Sequence, residues 1–172
     1  MFKVGDTVLY GSDGVCTISE ITEKIFGDTA IEYYVLVPVF DKRSTFFVPV
    51  KNQKLVGKMH YVLSAEEICK VINCSDEDVE WVENDLKRGE LFKEALSCGE
   101  LKKIASVARC ITFHKDEISS KGKKLHKSDE IIYKDALKIL YEEMALVTDV
   151  SKDDVADIVC HKLSFENLIK TV

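Results

Sequence analysis

Apolar positions change their period once along the chain. Through residues 1–58 they come in short runs rich in β-branched and aromatic side chains, and from Ser64 onward they recur every three to four residues. The first pattern is that of half-buried strands, the second that of amphipathic helices. Val4, Val8 and Tyr10 lead into Gly11-Ser12-Asp13-Gly14, and residues 15–18 start a second strand. Gly5-Asp6 and the four-residue run are turn chemistry, because Gly supplies positive φ and Asp or Ser bonds the turn backbone. The pattern then predicts a strand over 19–25, a turn at 26–28, a long strand over 31–39, a polar turn at 41–44 and a return over 45–48. A long apolar strand, a polar turn and a second apolar run are a hairpin signature. Pro38 implies an edge or a bulge at the end of the long strand, since it has no N–H for a ladder. A fifth short strand at Leu55-Val56 completes a small, strongly bent barrel of the SH3-like or Tudor-like kind.

Ser64-Ala65-Glu66-Glu67 is a capping box, which opens a helix to about Ile72. Acids at 76–78 suit the first turn of a second helix, expected over 75–96 with Gly99 as its stop and Gly89 as a possible bend. A third helix is predicted over 100–113 with Leu101, Ile104, Ala108 and Ile111 as its buried stripe. Residues 115–127 read as a basic loop. A fourth helix over 128–147 buries Ile132, Ala136, Ile139, Leu140, Met144 and Val147. A last helix capped by Ser151 carries Val155, Ile158, Val159 and Leu163. The expected fold is therefore α+β in two domains: a five-stranded SH3/Tudor-like β-barrel over 1–58, then an all-α domain of about five helices over 59–172.

The 46% hydrophobic content supports a real core. No run of 18 apolar residues exists, so no membrane span is expected, and the start turns polar too soon for a signal peptide. The six cysteines show no C-x-x-C pair or zinc spacing, and read as small core hydrophobes in a reducing cytoplasm. The formal net charge is −6, yet between Lys102 and Lys127 eight basic residues (Lys102, Lys103, Arg109, Lys115, Lys121, Lys123, Lys124, Lys127) meet two acids, Asp116 and Glu117. An acidic protein thus carries one basic block. That block is either a solvated face or a phosphate-contacting surface with weak sequence preference.

Catalytic patterns are missing. His60, His114, His126 and His161 are scattered and read as solvated surface residues. Neither a phosphate-binding glycine loop nor a G-x-S-x-G elbow occurs, and the acid runs fall at helix starts. No cofactor and no enzyme activity are expected; a site assembled from dispersed residues is the alternative. Trp81, the single tryptophan, is on a predicted helix with Val79, Val82 and Leu86. It is either core or an exposed wedge that stacks beside a base from the minor groove, with Asn84, Lys87, Arg88 and Lys93 as a positive collar. In the β module, Lys24, Lys42, Arg43, Thr45 and Phe47 lie near an edge suited to β-addition by another protein. Phe46 and Phe47 must face opposite sides of their strand. A methyl-lysine cage of Tyr10, Tyr33 or Tyr34 is set aside, because core packing explains those rings.

The opening K-V-G-D-x-V-x-Y-x-x-x-G-V resembles the amino-terminal module of CarD-like (CdnL-type) bacterial transcription regulators, a module related to one in the transcription-repair coupling factor. E-Y-Y-V-L at 32–36 and F-V-P-V-K-N at 47–52 resemble that family's later strands. Trp81, Arg88, Phe92 and Cys98-Gly99-Glu100 resemble its W…R…Y/F…S-G-D/E signature, and K-K-L-H-K-S-D-E at 123–130 with A-L-K-I-L-Y-E-E-M-A at 136–145 is similar to clostridial-type members. The resemblance implies a module that docks on the β-subunit lobe of RNA polymerase, at positions matching Lys24 and Phe47. Phe47 departs from the basic residue common there. It also implies a helical domain on promoter DNA at the upstream edge of the melted bubble, with a tryptophan wedged in the minor groove. Counted back from Cys98-Gly99-Glu100, the wedge position falls near Asp85; Trp81 is four residues earlier, one helical turn back.

The expected function is non-enzymatic regulation of transcription initiation. The chain binds the polymerase β subunit and, through Trp81, Lys87, Arg88, Lys93 and the basic block, upstream promoter DNA, stabilising the open complex. The alternative is a polymerase-binding or other protein–protein adaptor without DNA contact. A cytoplasmic, nucleoid-associated monomer is expected, with a domain-swapped dimer through the linker also open.

Overall fold

A computed structural model of the chain describes residues 1–26, 29–74 and 79–165. Five antiparallel strands come first: β1 (Thr7–Tyr10), β2 (Val15–Phe26), β3 (Thr29–Pro38), β4 (Phe46–Pro49) and β5 (Met59–Tyr61). Their order in the sheet is β4-β3-β2-β1-β5. The strands β4 and β5 are the two edges and do not pair, so the expected barrel is not closed. The short helix α1 (Gln53–Val56) connects them, and its Leu55 and Val56 pack against the module core of Val8, Cys16, Ile18, Tyr34, Leu36, Val48 and Met59.

Leu55-Val56 is thus helix, and the fifth strand follows it. The local cause is Asn52, whose side chain accepts the Leu55 N–H at 3.2 Å and caps the turn. Pro38 lies beyond the last β3–β4 pair, Leu36–Phe46, where β3 no longer has a neighbour on that side. The register of β2 against β3 shifts between Ile18 and Glu20, a bulge that bends the hairpin. The turn predicted at 26–28 falls mostly outside the described residues.

Five further helices follow: α2 (Ala65–Asn73), α3 (Asp85–Ser97), α4 (Leu101–Ser120), α5 (Lys127–Met144) and α6 (Val155–Val159). The capping box at Ser64 and Glu67 forms as read. The helix expected over 75–96 starts only at Asp85, where the Asn84 side chain accepts the Lys87 N–H at 2.9 Å; residues 75–78 lie outside the described residues. Residues 79–84 are neither helix nor strand, and the Val79 N–H donates to Ser106 Oγ at 2.6 Å. Gly89 sits inside α3 without breaking it. The predicted basic loop is mostly helix: α4 runs on to Ser120, because lysines do not end a helix, and stops where Gly122 takes φ +70°. Leu163 lies beyond α6 and is exposed.

All four predicted stripe residues of α4 are buried, as are Ala105, Ser106, Val107, Arg109 and Thr112. The middle of α4 is therefore enclosed, with α2, α3, α5 and α6 packed around it. The opening strands serve both cores. Alternation along β1 sends Val8 to the β module and Leu9 to the helical core; at the start of β2 it sends Cys16 to the module and Val15 to the helices. Burial, with the nearby charges of Asp13 and Glu142, pushes the Cys16 thiol up to about 12, so it stays a neutral core group. Among the described residues no helix is long and apolar enough to cross a membrane.

Candidate protein and nucleic-acid interfaces

The first surface is the sheet face beside the open edge of β4. Phe46 turns inward toward Tyr10, with ring centroids 6.1 Å apart, and Phe47 turns outward, 44% exposed. Lys24, from β2, places its ammonium 3.5 Å from the Phe47 ring centre, and the Tyr33 ring meets Phe47 edge-on at 6.3 Å. An ammonium over a half-exposed ring is an amphipathic patch that offers both charge and apolar area. In the β3–β4 turn Lys42 and Arg43 are exposed, as is Thr45. Arg43 grips Asp41 through two hydrogen bonds of 2.8 and 2.9 Å, which hold the Asp41 carboxyl down at about 2. Lys24, Phe47 and Tyr33 thus share one face, with Lys42, Arg43 and Thr45 in the turn and strand start that lead into β4.

Trp81 is half-buried and lies in the irregular segment before α3, not on a helix. Its ring stacks on His114 at 3.5 Å between centroids, nearly parallel. The Arg88 guanidinium stands 4.1 Å from the indole centroid. The two groups are too close to share one face, so both faces of the indole are occupied. Phe92 meets it edge-on. Leu86, expected to pack beside it, is 75% exposed.

Arg88, expected on DNA, is only 2% exposed. It donates to both Asp129 carboxylate oxygens, at 2.6 and 3.2 Å, to Asp85 at 2.7 Å and to the Val82 carbonyl at 2.6 Å. Burial alone would lower its pKa, but Asp129 and Asp85 together raise it. Arg109 is equally enclosed and donates to the carbonyls of Ile72, Cys74 and Val159, closing the C-terminal ends of α2 and α6. Both arginines are interior struts. The feature that separates them from the lysines is desolvation: a guanidinium with five donors can be satisfied inside a fold.

The basic block is also divided. Lys102 and Lys103 stand at the start of α4, where Lys103 pairs with Glu100 at 2.9 Å. Lys115 lies toward its other end and Lys121 caps it, on a 20-residue helix that spans about 30 Å. Lys123, Lys124 and Lys127 continue from there through the turn to the start of α5, and all are exposed. Lys121 is held by Glu117 at 2.6 Å. Lys87 and Lys93 are exposed on α3. The histidines are more engaged than their scatter suggests. His60 bonds the Cys98 carbonyl at 2.9 Å, His114 stacks on Trp81, His161 meets Arg109 and His126 meets Ser128.

Residues 2–60 match the family model described as the CarD-like/TRCF RID domain, and residues 67–160 match the one described as the CarD C-terminal domain. The second match alone spans more than half the chain. The chain belongs to the CarD family. CarD-like proteins are transcription-related, non-enzymatic regulators, and their RID domain interacts with the RNA polymerase β subunit.

In this CarD-family chain the two matched regions are joined by polar contacts that single-sequence reasoning missed. Consecutive acids on α5 reach across the junction. Glu142 accepts the Val15 N–H at 3.0 Å, and Glu143 accepts the Leu63 N–H at 2.7 Å. His60 adds a third contact, to the Cys98 carbonyl at 2.9 Å. Gly14 has φ +86°, and a Cβ there would drive into the Glu142 carboxylate. Burial pushes the Glu143 carboxyl up to about 7, against the opposing pull of the Leu63 N–H. A signal for this pair exists in the sequence: Glu143 falls three residues after Leu140 and seven after Ala136, on the buried stripe.

Proposed function

We propose that this chain regulates transcription initiation without catalysing a reaction. The β module, expected over 1–58 and carrying β5 at 59–61 as well, acts as the polymerase-interacting module, and the helices after it act as the DNA-binding domain. The module engages the β-subunit lobe through the β4 edge, with Lys24, Phe47, Lys42, Arg43 and Thr45 forming the contact. The helical domain holds upstream promoter DNA through Lys115, Lys121, Lys123, Lys124 and Lys127, with Lys87, Lys93, Lys102 and Lys103 as more distant phosphate contacts, and so stabilises the open complex. The observation that carries this reading is a cluster of exposed lysines at the α4–α5 turn, on the same chain as a family-matched polymerase module. Trp81 serves here as the spacer between Arg88 and His114, since neither face of its ring is open to a base. Lysines bind phosphates without reading bases, so the contact is weakly sequence-specific.

The test is the salt dependence of promoter–polymerase complex stability with wild type and a variant neutralised at Lys121, Lys123, Lys124 and Lys127. Each lost phosphate contact flattens the log–log salt slope by about 0.9. A shallower slope and a shorter open-complex lifetime are expected; an unchanged slope with polymerase binding intact would leave the adaptor reading. That second reading is favoured by one observation, the engagement of Arg88 and Arg109 inside the fold, which removes two of the expected DNA contacts.

A further inference from the structure

The end of α4, the turn after it and the outer side of α5 enclose a groove of about 380 Å³. Leu125, Leu137 and Tyr133 line it on the apolar side, and Lys115, Lys123 and Lys124 on the charged side. The Tyr133 ring is fixed, because its hydroxyl lies 3.0 Å from Thr112 Oγ1 inside the helical core. Lys115 holds its ammonium 5.4 Å from the centre of that ring. One carboxylate, Glu130, faces the groove, and Lys134 takes it at 3.0 Å. Lys134 holds the Glu130 carboxyl low, with Lys115 and Lys124 adding to the effect. Among the described residues no carboxylate comes within ion-pair distance of Lys115, Lys123 or Lys124.

A duplex backbone meets lysines on a convex or flat surface and has no use for a concave apolar floor. A small ligand does, and pockets for small ligands begin at about 300 Å³. Lysines bind phosphate oxygens as mobile point charges. Tyr133 is 8% exposed, so only its rim reaches the groove, and the two leucines provide most of the apolar surface for a heterocycle. We propose that this groove is a nucleotide site. It takes a nucleoside di- or triphosphate, with the base against Leu125, Leu137 and Tyr133 and the phosphates among Lys115, Lys123 and Lys124. Because these lysines also serve the proposed DNA contact, a bound nucleotide competes with promoter DNA.

The experiment is calorimetric titration of the full chain with ADP and GDP at low salt, alongside inorganic pyrophosphate and adenosine. The double variant Lys115→Gln, Lys124→Gln is titrated in parallel after its urea midpoint is matched to wild type. A nucleotide bound at least about tenfold more tightly than pyrophosphate, and weakened about tenfold or more in the variant, is the expected result. Amide shifts induced by ADP in NMR spectra should centre on residues 115–137. No heat with either nucleotide, equal binding of pyrophosphate, unchanged binding by the variant, or shifts centred elsewhere would each overturn the site. With no DNA or polymerase present, such a failure leaves the transcription reading standing.

Discussion

At the scale of single residues, two charges decide more than the rest. Asp129 is 1% exposed and depends on Arg88 for neutralisation. Removing one member of a buried pair leaves the other charge uncompensated, which costs about 3–5 kcal/mol. Arg88→Ala is therefore expected to lower the urea unfolding midpoint sharply. Asp85→Ala, which removes the exposed partner of the same guanidinium, should cost less than about 1 kcal/mol. Equal losses in the two variants would contradict the interior-strut role of Arg88. Glu143 is the second case. Its carboxyl is raised from an ordinary 4.5 to about 7 in the folded state. Below pH 4.5 both states hold the proton and stability is complete. Between 4.5 and 7 only the unfolded chain releases it, so stability falls with rising pH and levels off above 7. At about 1.4 kcal/mol per pKa unit the fall is on the order of 3 kcal/mol. Glu143→Gln should abolish it, making the variant more stable than wild type at pH 8 but not at pH 4.5. Parallel pH–stability curves for the two proteins would show that the buried carboxyl does not titrate as described.

At the scale of elements, two glycines have opposite meanings. Gly89 is helical, and a Cβ there meets nothing within 4 Å. Gly89→Ala should stabilise α3 by about 0.5–1 kcal/mol. Gly14 lies where β1 turns into β2, has positive φ and faces the Glu142 carboxylate. Gly14→Ala should destabilise by about 1–3 kcal/mol. Thermal melts of the two variants should move in opposite directions, and a shared direction would refute one of the two assignments. The elements themselves were readable to different depths. The capping box at Ser64, the β3–β4 hairpin and the stripes of α4 and α5 follow from local pattern. The start of α3 did not, because Asn84, the cap that forms, is one polar residue among several. The length of α4 was hidden by its lysines, which read as loop composition although the helix ends only at Gly122.

At the scale of the molecule, the β module and the helices share material. Leu9 and Val15 leave the sheet for the helical core, and Glu142 and Glu143 bond the backbone of the module and linker. A segment that serves two cores cannot unfold from one alone. Urea unfolding followed by Trp81 fluorescence, which reports the helical side, and by hydrogen exchange in β2 and β3 should give coincident transitions. An early, separate loss of the sheet would show that the junction does not couple the two. This coupling gives the proposed function its geometry, since a module held by polymerase then sets where the α4–α5 lysines stand.

Strand and helix periods, caps and turn residues act over a few neighbours, so the β-then-α order, most element cores and the likeness to the CarD family are legible along the chain. So is the gathering of positive charge between Lys102 and Lys127. What a charge does depends on what folding brings against it. Folding took Arg88 and Arg109 inside, closed both faces of Trp81, parted Lys102 and Lys103 from the other lysines by the length of α4, and left the sheet open between β4 and β5. Burial and partners are sums over residues distant in the chain, and no local pattern encodes them.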